Sequence, residues 1–236
     1  MSQNNPLSAI LDKQDFLLLD GAMATELEAR GCNLADSLWS AKVLVENPEL
    51  IREVHLDYYR AGAQCAITAS YQATPAGFAA RDLDEAQSKA LIGKSVELAR
   101  KAREAYLAEN PQAGTLLVAG SVGPYGAYLA DGSEYRGDYQ RSAEEFQAFH
   151  RPRVEALLDA GADLLACETL PNFSEIEALA ELLTAYPRAR AWFSFTLRDS
   201  EHLSDGTPLR DVVALLADYP QVVALGINCI ALENTT

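Results

Sequence analysis

The chain has 236 residues and a formal net charge of −15, with 49% hydrophobic and 22% charged residues. This composition is typical of a globular protein that buries a sizeable core. The acidic excess argues against partners such as nucleic acid or an anionic membrane surface, because like charges would repel each other. No apolar run approaches the ~20 residues that cross a bilayer, and the N-terminus has no signal-peptide pattern. We therefore expect a cytoplasmic protein.

The first half of the chain alternates short apolar runs with longer helical patterns. Apolar residues 16–19 predict the first strand. Asn47 and Pro48 are a good N-cap and first residue for a helix, which should end at the left-handed cap Gly62. Further elements follow in chain order: a strand at 65–68, a helix at 84–108 and a strand at 116–119.

The second half continues the alternation. Ser142 and Glu145 form a capping-box pattern, which begins a helix that contains Pro152 and ends at Gly161. Four further elements complete the chain: strands at 164–167, 192–197 and 222–227, with a helix at 173–185 and another that begins at Thr207-Pro208. The last strand, 222–227, is expected to be buried like the others.

Six βα units without a break in composition predict an α/β fold, a (β/α)8 TIM-type barrel rather than an open sheet. Strands that are apolar without alternation are buried on both faces, as parallel strands are. No Gly-x-Gly-x-x-Gly follows the first strand, which argues against a dinucleotide fold. A complete barrel has eight strands. We therefore expect residues 1–236 to form a single barrel domain whose C-terminal part is missing.

In such barrels the functional site lies at the carboxyl ends of the strands. Carboxylates, hydroxyls and one thiol occupy these positions: Asp20-Gly21, Thr68, Ser70, Ser121, Glu168 and Cys229. Glu168 directly follows a buried run, where a carboxylate needs a partner. The other cysteines, Cys32, Cys65 and Cys167, show no Cys-x-x-Cys spacing and are expected to be reduced thiols that fill space. His55 and His150 lie in predicted helices, where surface or packing roles are expected.

Five motifs in order resemble the homocysteine S-methyltransferase family: DGAMATEL at 20–27, TASYQAT at 68–74, GSVGPYGAYLADGSEYRG at 120–137, ETLP at 168–171 and GINC at 226–229. The chain is most similar to the short, single-domain members that use S-methylmethionine. The resemblance implies a barrel that binds Zn²⁺ through three cysteine thiolates, one of them Cys229. The other two form an adjacent pair in a GGCC motif, which residues 1–236 lack. We therefore expect both remaining ligands beyond residue 236, and expect this chain alone to be inactive.

The resemblance also implies how the small-molecule substrates bind. Asp20 and Glu168 would hold the ammonium group of homocysteine, and the other candidate substrate-binding residues are Gly21, Thr68 and Ser70. Zinc would keep the homocysteine sulfur deprotonated for attack on the methyl donor. The donor would be a sulfonium, S-methylmethionine or S-adenosylmethionine; betaine and a methylated folate stay open as alternatives. From the residues themselves, Tyr125, Tyr128 and Tyr135 could face a sulfonium by cation–π contact.

Two other classes of protein fit the sequence less well. A metal-free barrel lyase or aldolase would need a Schiff-base lysine at a strand end, and none of the six predicted ends carries one. A metal-handling protein would need clustered cysteine and histidine side chains, whereas the four cysteines here are scattered.

Overall fold

The computed structural model describes residues 5–34 and 40–231. Five strands lie within these residues: β1 (Cys65–Ile67), β2 (Leu117–Val122), β3 (Leu164–Leu170), β4 (Ala191–Phe195) and β5 (Val222–Ile227). The helices are α1 (Ser8–Leu11), α2 (Met23–Ala29), α3 (Ser40–Glu46), α4 (Pro48–Arg60), α5 (Pro75–Ala79), α6 (Glu85–Glu109), α7 (Tyr125–Leu129), α8 (Ala143–Asp159), α9 (Phe173–Thr184) and α10 (Leu209–Leu216). A 3-10 turn spans Ser133–Tyr135.

The strands form one sheet in the order β1-β2-β3-β4-β5, and every neighbouring pair is parallel. Each connection carries at least one helix, as parallel pairing requires. All strands therefore end at the same rim of the sheet. This arrangement confirms the predicted α/β class and is that of a partial TIM-type barrel.

The predicted first strand, 16–19, is not a full strand of this sheet. A single parallel bridge joins Leu19 to Cys65, and Gln64 N–H donates to the Leu18 carbonyl at 2.7 Å. The side chain of Gln64, rather than a backbone carbonyl, accepts the Leu18 N–H at 3.2 Å. Phe16 and Leu18 are exposed. The apolar run thus lies along the edge of β1 and still delivers Asp20 to the rim.

Burial falls from the centre of the sheet to its edge. Every residue of β2 is buried, and so are six of the seven residues of β3. The expectation of a buried strand at 222–227 is wrong: β5 is only partly buried and is exposed over its last three residues. The reason is its place at the edge, where one side has no neighbouring strand among the described residues.

The predicted helix ends are confirmed with one exception. The Ser142–Glu145 capping box opens α8, while Gly62 and Gly161 adopt the left-handed backbone with φ of +107° and +85°. Asn47 precedes α4 as predicted, but its side chain makes no capping hydrogen bond. Within the described residues, no helix combines the length and the apolar composition that crossing a membrane requires.

Candidate active site

A cavity of about 320 Å³ opens at the rim where the strands end. Of the six residues that the resemblance assigns to substrate or metal, five line it: Asp20, Gly21, Thr68, Glu168 and Cys229. The sixth, Ser70, is fully buried behind the wall. Its hydroxyl lies 2.7 Å from Thr68 Oγ1 and donates to the Ser121 carbonyl at 2.8 Å, so it supports the wall instead of facing the cavity.

Asp20 is held at the rim by its neighbours on β1 and α4. Its backbone N–H donates to the Cys65 carbonyl at 2.9 Å, and its Oδ2 accepts the Ile67 N–H at 2.8 Å. The side chain is only 3% exposed. The next residue is Gly21, where a Cβ would lie 2.8 Å from the Tyr58 ring. The tight approach of the Tyr58 side chain from α4 therefore favours glycine at this position.

Glu168 faces Asp20 across the cavity and has a perturbed pKa. Burial raises the pKa of Glu168 from 4.5 to about 7, and the Asp20 charge acts in the same direction. A hydrogen bond from the Ser121 hydroxyl, and the Arg153 guanidinium further off, oppose this shift. Two carboxylates in one shielded cavity favour a cationic ligand, because neutralising them removes their desolvation and mutual repulsion.

The wall opposite Asp20 is built on strained backbone. Thr169 and Cys229 have φ of +60° and +53°, a region that L residues, and β-branched ones most of all, avoid. The register of β3 against β4 shifts between Cys167 and Leu170, which marks a bulge at Glu168–Thr169. A bulge re-aims side chains at the end of a strand, and such strain concentrates at functional sites.

Asn228 ties this strained pair together. Its Oδ1 accepts the Thr169 N–H at 3.0 Å, and its Nδ2 donates to Thr169 Oγ1 at 2.9 Å and to Cys229 Sγ at 3.6 Å. The Thr169 hydroxyl donates to the same sulfur at 3.7 Å. Partial burial raises the pKa of the Cys229 thiol, as do the carboxylates of Glu168 and Glu134. The thiol therefore needs a nearby cation to become a thiolate at neutral pH.

The described residues do not by themselves complete a metal site. Among them, no group of three or more His, Cys, Asp or Glu side chains is arranged to hold a metal ion. Cys65 and Cys167 are fully buried in the core, and burial raises the pKa of both thiols. Cys32 lies after α2 and packs against the core. Cys229 is the one cysteine of the chain that lines the cavity, and it can offer one ligand.

Of the three tyrosines that we expected to face a sulfonium, one lies at the cavity. Tyr135, in the 3-10 turn, lines the cavity. Tyr125 and Tyr128 instead pack with Phe149, with ring centroids 5.0 and 5.6 Å away. They belong to an aromatic cluster packed against α8, because the loop after β2 folds into α7 before it returns to the rim. Tyr71, for which the sequence predicted no role, also lines the cavity.

A buried charged network behind the cavity was missed altogether. Arg153 is fully buried and donates to the carbonyls of Tyr71 and Gly123, both at 2.6 Å. His150, also fully buried, lies 3.0 Å from the Arg153 guanidinium and 2.7 Å from Glu175 Oε1. This network fixes the segments after β1 and β2 that carry the cavity wall. The sequence gives little indication of this network, because an arginine in a helix usually lies at the surface.

The chain is similar to known proteins along nearly its whole length. The sequence model of the homocysteine S-methyltransferase family matches residues 17–236. The homocysteine S-methyltransferase of Escherichia coli K12 is 96% identical over the whole chain, which spans 76% of that protein. Homocysteine S-methyltransferase YbgG of Bacillus subtilis is 55% identical over 98% of the chain and 74% of its own length.

A solved structure gives the same result. The metallated form of the homocysteine methyltransferase MmuM from Escherichia coli superimposes with a TM-score of 0.96 at 96% identity, over 98% of this chain and 80% of that one. The resemblance carried by the five motifs is thereby confirmed. With its cavity of two carboxylates and a thiol at the rim of a partial barrel, the chain belongs to the homocysteine S-methyltransferase family, enzymes that transfer a methyl group to homocysteine.

Proposed function

We propose that homocysteine binds in this cavity with its ammonium group between Asp20 and Glu168 and its sulfur towards Cys229. The observation that carries the proposal is that two shielded carboxylates and one thiol line the same cavity. Homocysteine carries a cationic ammonium at one end and a thiol at the other, so it matches this charge pattern. The backbone at Gly21 lines the same cavity, where it would contact the carboxylate of the substrate. Thr68 lines this cavity too, and its hydroxyl is held by Ser70 and by the Ser121 N–H.

The metal we propose is zinc, with Cys229 as one of its thiolate ligands. The E. coli relative was solved in a metallated form. Zinc is the ion that thiolate ligands and an open coordination position suit. When bound, it would hold the homocysteine sulfur as a thiolate at neutral pH. Among the described residues, Cys229 is the one cysteine ligand at the cavity. Its sulfur has a fixed position, set by Asn228 and Thr169.

The methyl donor we propose is a sulfonium, S-methylmethionine first and S-adenosylmethionine second. The homocysteine sulfur forms the new bond to the methyl carbon, the bond from that carbon to the donor sulfur breaks, and its electron pair leaves on a neutral thioether. Glu134 supports a cationic donor, because its buried Oε2 has no hydrogen-bond partner among the described residues. Tyr135, next to it, offers a ring face at the cavity. The sulfonium centre is a cation without N–H groups, so a carboxylate charge and an aromatic ring face can stabilise it without a hydrogen bond.

The test measures the binding of each methyl donor to the chain by calorimetry, with homocysteine present. We expect S-methylmethionine to bind most tightly, S-adenosylmethionine less tightly, and betaine or methylated folate most weakly. Methionine formation is measured in parallel and none is expected, because the described residues offer a single zinc ligand. Tighter binding of betaine or of methylated folate than of either sulfonium would overturn the choice of donor.

A further inference from the structure

His55 differs from the other two histidines of the chain, all of which the structure describes. His150 contacts Glu175 and Arg153, and His202 Nδ1 lies 2.8 Å from Asp199 Oδ1. His55 is fully buried, yet neither ring nitrogen has a hydrogen-bond partner within the described residues. Buried polar groups are almost always paired, so an imidazole left in this state needs an explanation.

The position of His55 supplies one. It lies on α4, and the charged group nearest its ring is the Asp20 carboxylate, with Nδ1 and Oδ2 3.7 Å apart. Tyr58, three residues further along α4, packs against Gly21, and its hydroxyl donates to the Ala22 carbonyl at 3.4 Å. Residues three apart share a face of a helix. This face of α4 therefore supports the segment that carries Asp20 into the cavity.

The two oxygens of Asp20 are in different situations. Oδ2 accepts the Ile67 N–H at 2.8 Å and faces His55. Among the described residues, no hydrogen bond is made to Oδ1. A carboxylate held by one oxygen presents the other to a ligand, and a second donor to the held oxygen restricts its rotation further. Ile67 supplies the first donor, and His55 is in place to supply the second.

We propose that His55 is a positioning residue for substrate binding, with its Nδ1–H donating to Asp20 Oδ2 so that Oδ1 is aimed at the ammonium group of homocysteine. The inference rests on the proposed role of Asp20. The distance of 3.7 Å exceeds a hydrogen bond, and a shift of roughly 0.7 Å closes it to the usual N–H···O range. Filling the cavity with a cationic ligand orders the carboxylate and brings it within reach of the ring. The proton is then on Nδ1, because the group that a ring nitrogen faces selects the tautomer.

The first test reads that tautomer directly by ¹⁵N NMR of the histidine rings, before and after homocysteine is added. His55 is assigned by its loss in His55→Asn. We expect a protonated Nδ1 on His55, whose signal moves in Asp20→Asn while those of His150 and His202 stay in place. A His55 ring with its proton on Nε2 with and without homocysteine, or an Nδ1 signal that ignores Asp20→Asn, would overturn the proposal.

The second test uses the geometry of the substituting side chains. The amide nitrogen of His55→Asn takes the place of Nδ1, whereas that of His55→Gln takes the place of Nε2. We expect His55→Asn to keep the homocysteine affinity within about twofold, and His55→Gln and His55→Leu to weaken it roughly tenfold, the effect of losing one hydrogen bond to a charged group. His202→Asn is the matched control and should bind as the wild type does. Equal losses in the Asn and Gln variants would show that His55 only fills space.

Asp20→Asn separates failure of this inference from failure of the proposed function. If Asp20→Asn leaves homocysteine binding unchanged, the ammonium site itself is wrong. If it weakens binding while His55→Gln does not, only the role of His55 is refuted. We expect the double variant Asp20→Asn/His55→Gln to bind no worse than Asp20→Asn alone, because residues that act through one contact are not additive. Should the Leu variant fail to fold, the Asn and Gln pair still decides.

Discussion

Replacing Glu168 by glutamine should stabilise the folded chain at alkaline pH and weaken homocysteine binding. Burial raises the pKa of Glu168 from 4.5 to about 7. A carboxyl whose folded-state pKa lies above its unfolded value adds stability below pH 4.5, and that stability is lost as the pH rises through 7. At about 1.4 kcal/mol per pH unit, the loss approaches ~3 kcal/mol by pH 8.5. Glutamine has no charge to desolvate and its oxygen can still accept from Ser121.

The assay is urea unfolding of the wild type and Glu168→Gln at pH 5 and pH 8.5. We expect the free energy of unfolding of the wild type to fall by about 2–3 kcal/mol more than that of the variant between these two values. Glu53→Gln, an exposed carboxylate on α4, is the matched control and should follow the wild type. The same pH dependence in the wild type and in Glu168→Gln would refute the raised pKa. We also expect the variant to bind homocysteine more weakly, because glutamine carries no charge to hold the ammonium group.

Three further outcomes follow from the same contacts. Gly21→Ala places a methyl group 2.8 Å from the Tyr58 ring, and we expect it to lower the free energy of unfolding by about 1–3 kcal/mol in urea. Arg153→Leu leaves the Tyr71 carbonyl and the charges around it without a buried partner. We expect the free energy of unfolding to fall by about 3–5 kcal/mol in the same assay. An unchanged free energy of unfolding would contradict the role of this network. Elemental analysis of the chain after dialysis should find far less than one zinc per chain, because Cys229 is the single cysteine at the cavity; stoichiometric zinc would show that other residues complete the site.

Much of the fold could be predicted because its signals are local. Capping residues predicted where α8 begins, and the glycines at 62 and 161 where helices end. Apolar runs located β2, β3 and β4, since a strand buried on both faces needs apolar side chains at every position. The same signal predicted a full strand at 16–19, where a single bridge forms, and located β5 at 222–227 but not its exposure, because it reports hydrophobicity and not pairing. Both segments lie at an edge of the sheet, where burial depends on what covers the edge.

The site could be predicted only in part, and the reason differs between residues. Asp20, Thr68, Glu168 and Cys229 lie at or just beyond the carboxyl ends of apolar runs, so the topology of a parallel sheet brings them together. Ser70 occupies a similar place in the sequence but turns inward to Ser121. The network around Arg153 could not be predicted, because its partners come from segments up to 82 residues away along the chain. The strained backbone at Thr169 likewise arises from a bulge that no sequence pattern predicted.

The proposed ammonium site is tested most directly by the affinity of the chain for homocysteine compared with that for 4-mercaptobutanoate, the same molecule without its ammonium group. If Asp20 and Glu168 hold that ammonium, the wild type should bind homocysteine at least tenfold more tightly, in line with the 1.5–3 kcal/mol of a charged hydrogen bond. The preference should disappear in the double variant Asp20→Asn/Glu168→Gln and persist in Glu53→Gln. Equal affinity of the wild type for the two ligands would contradict the claim that these carboxylates form the amino-acid site.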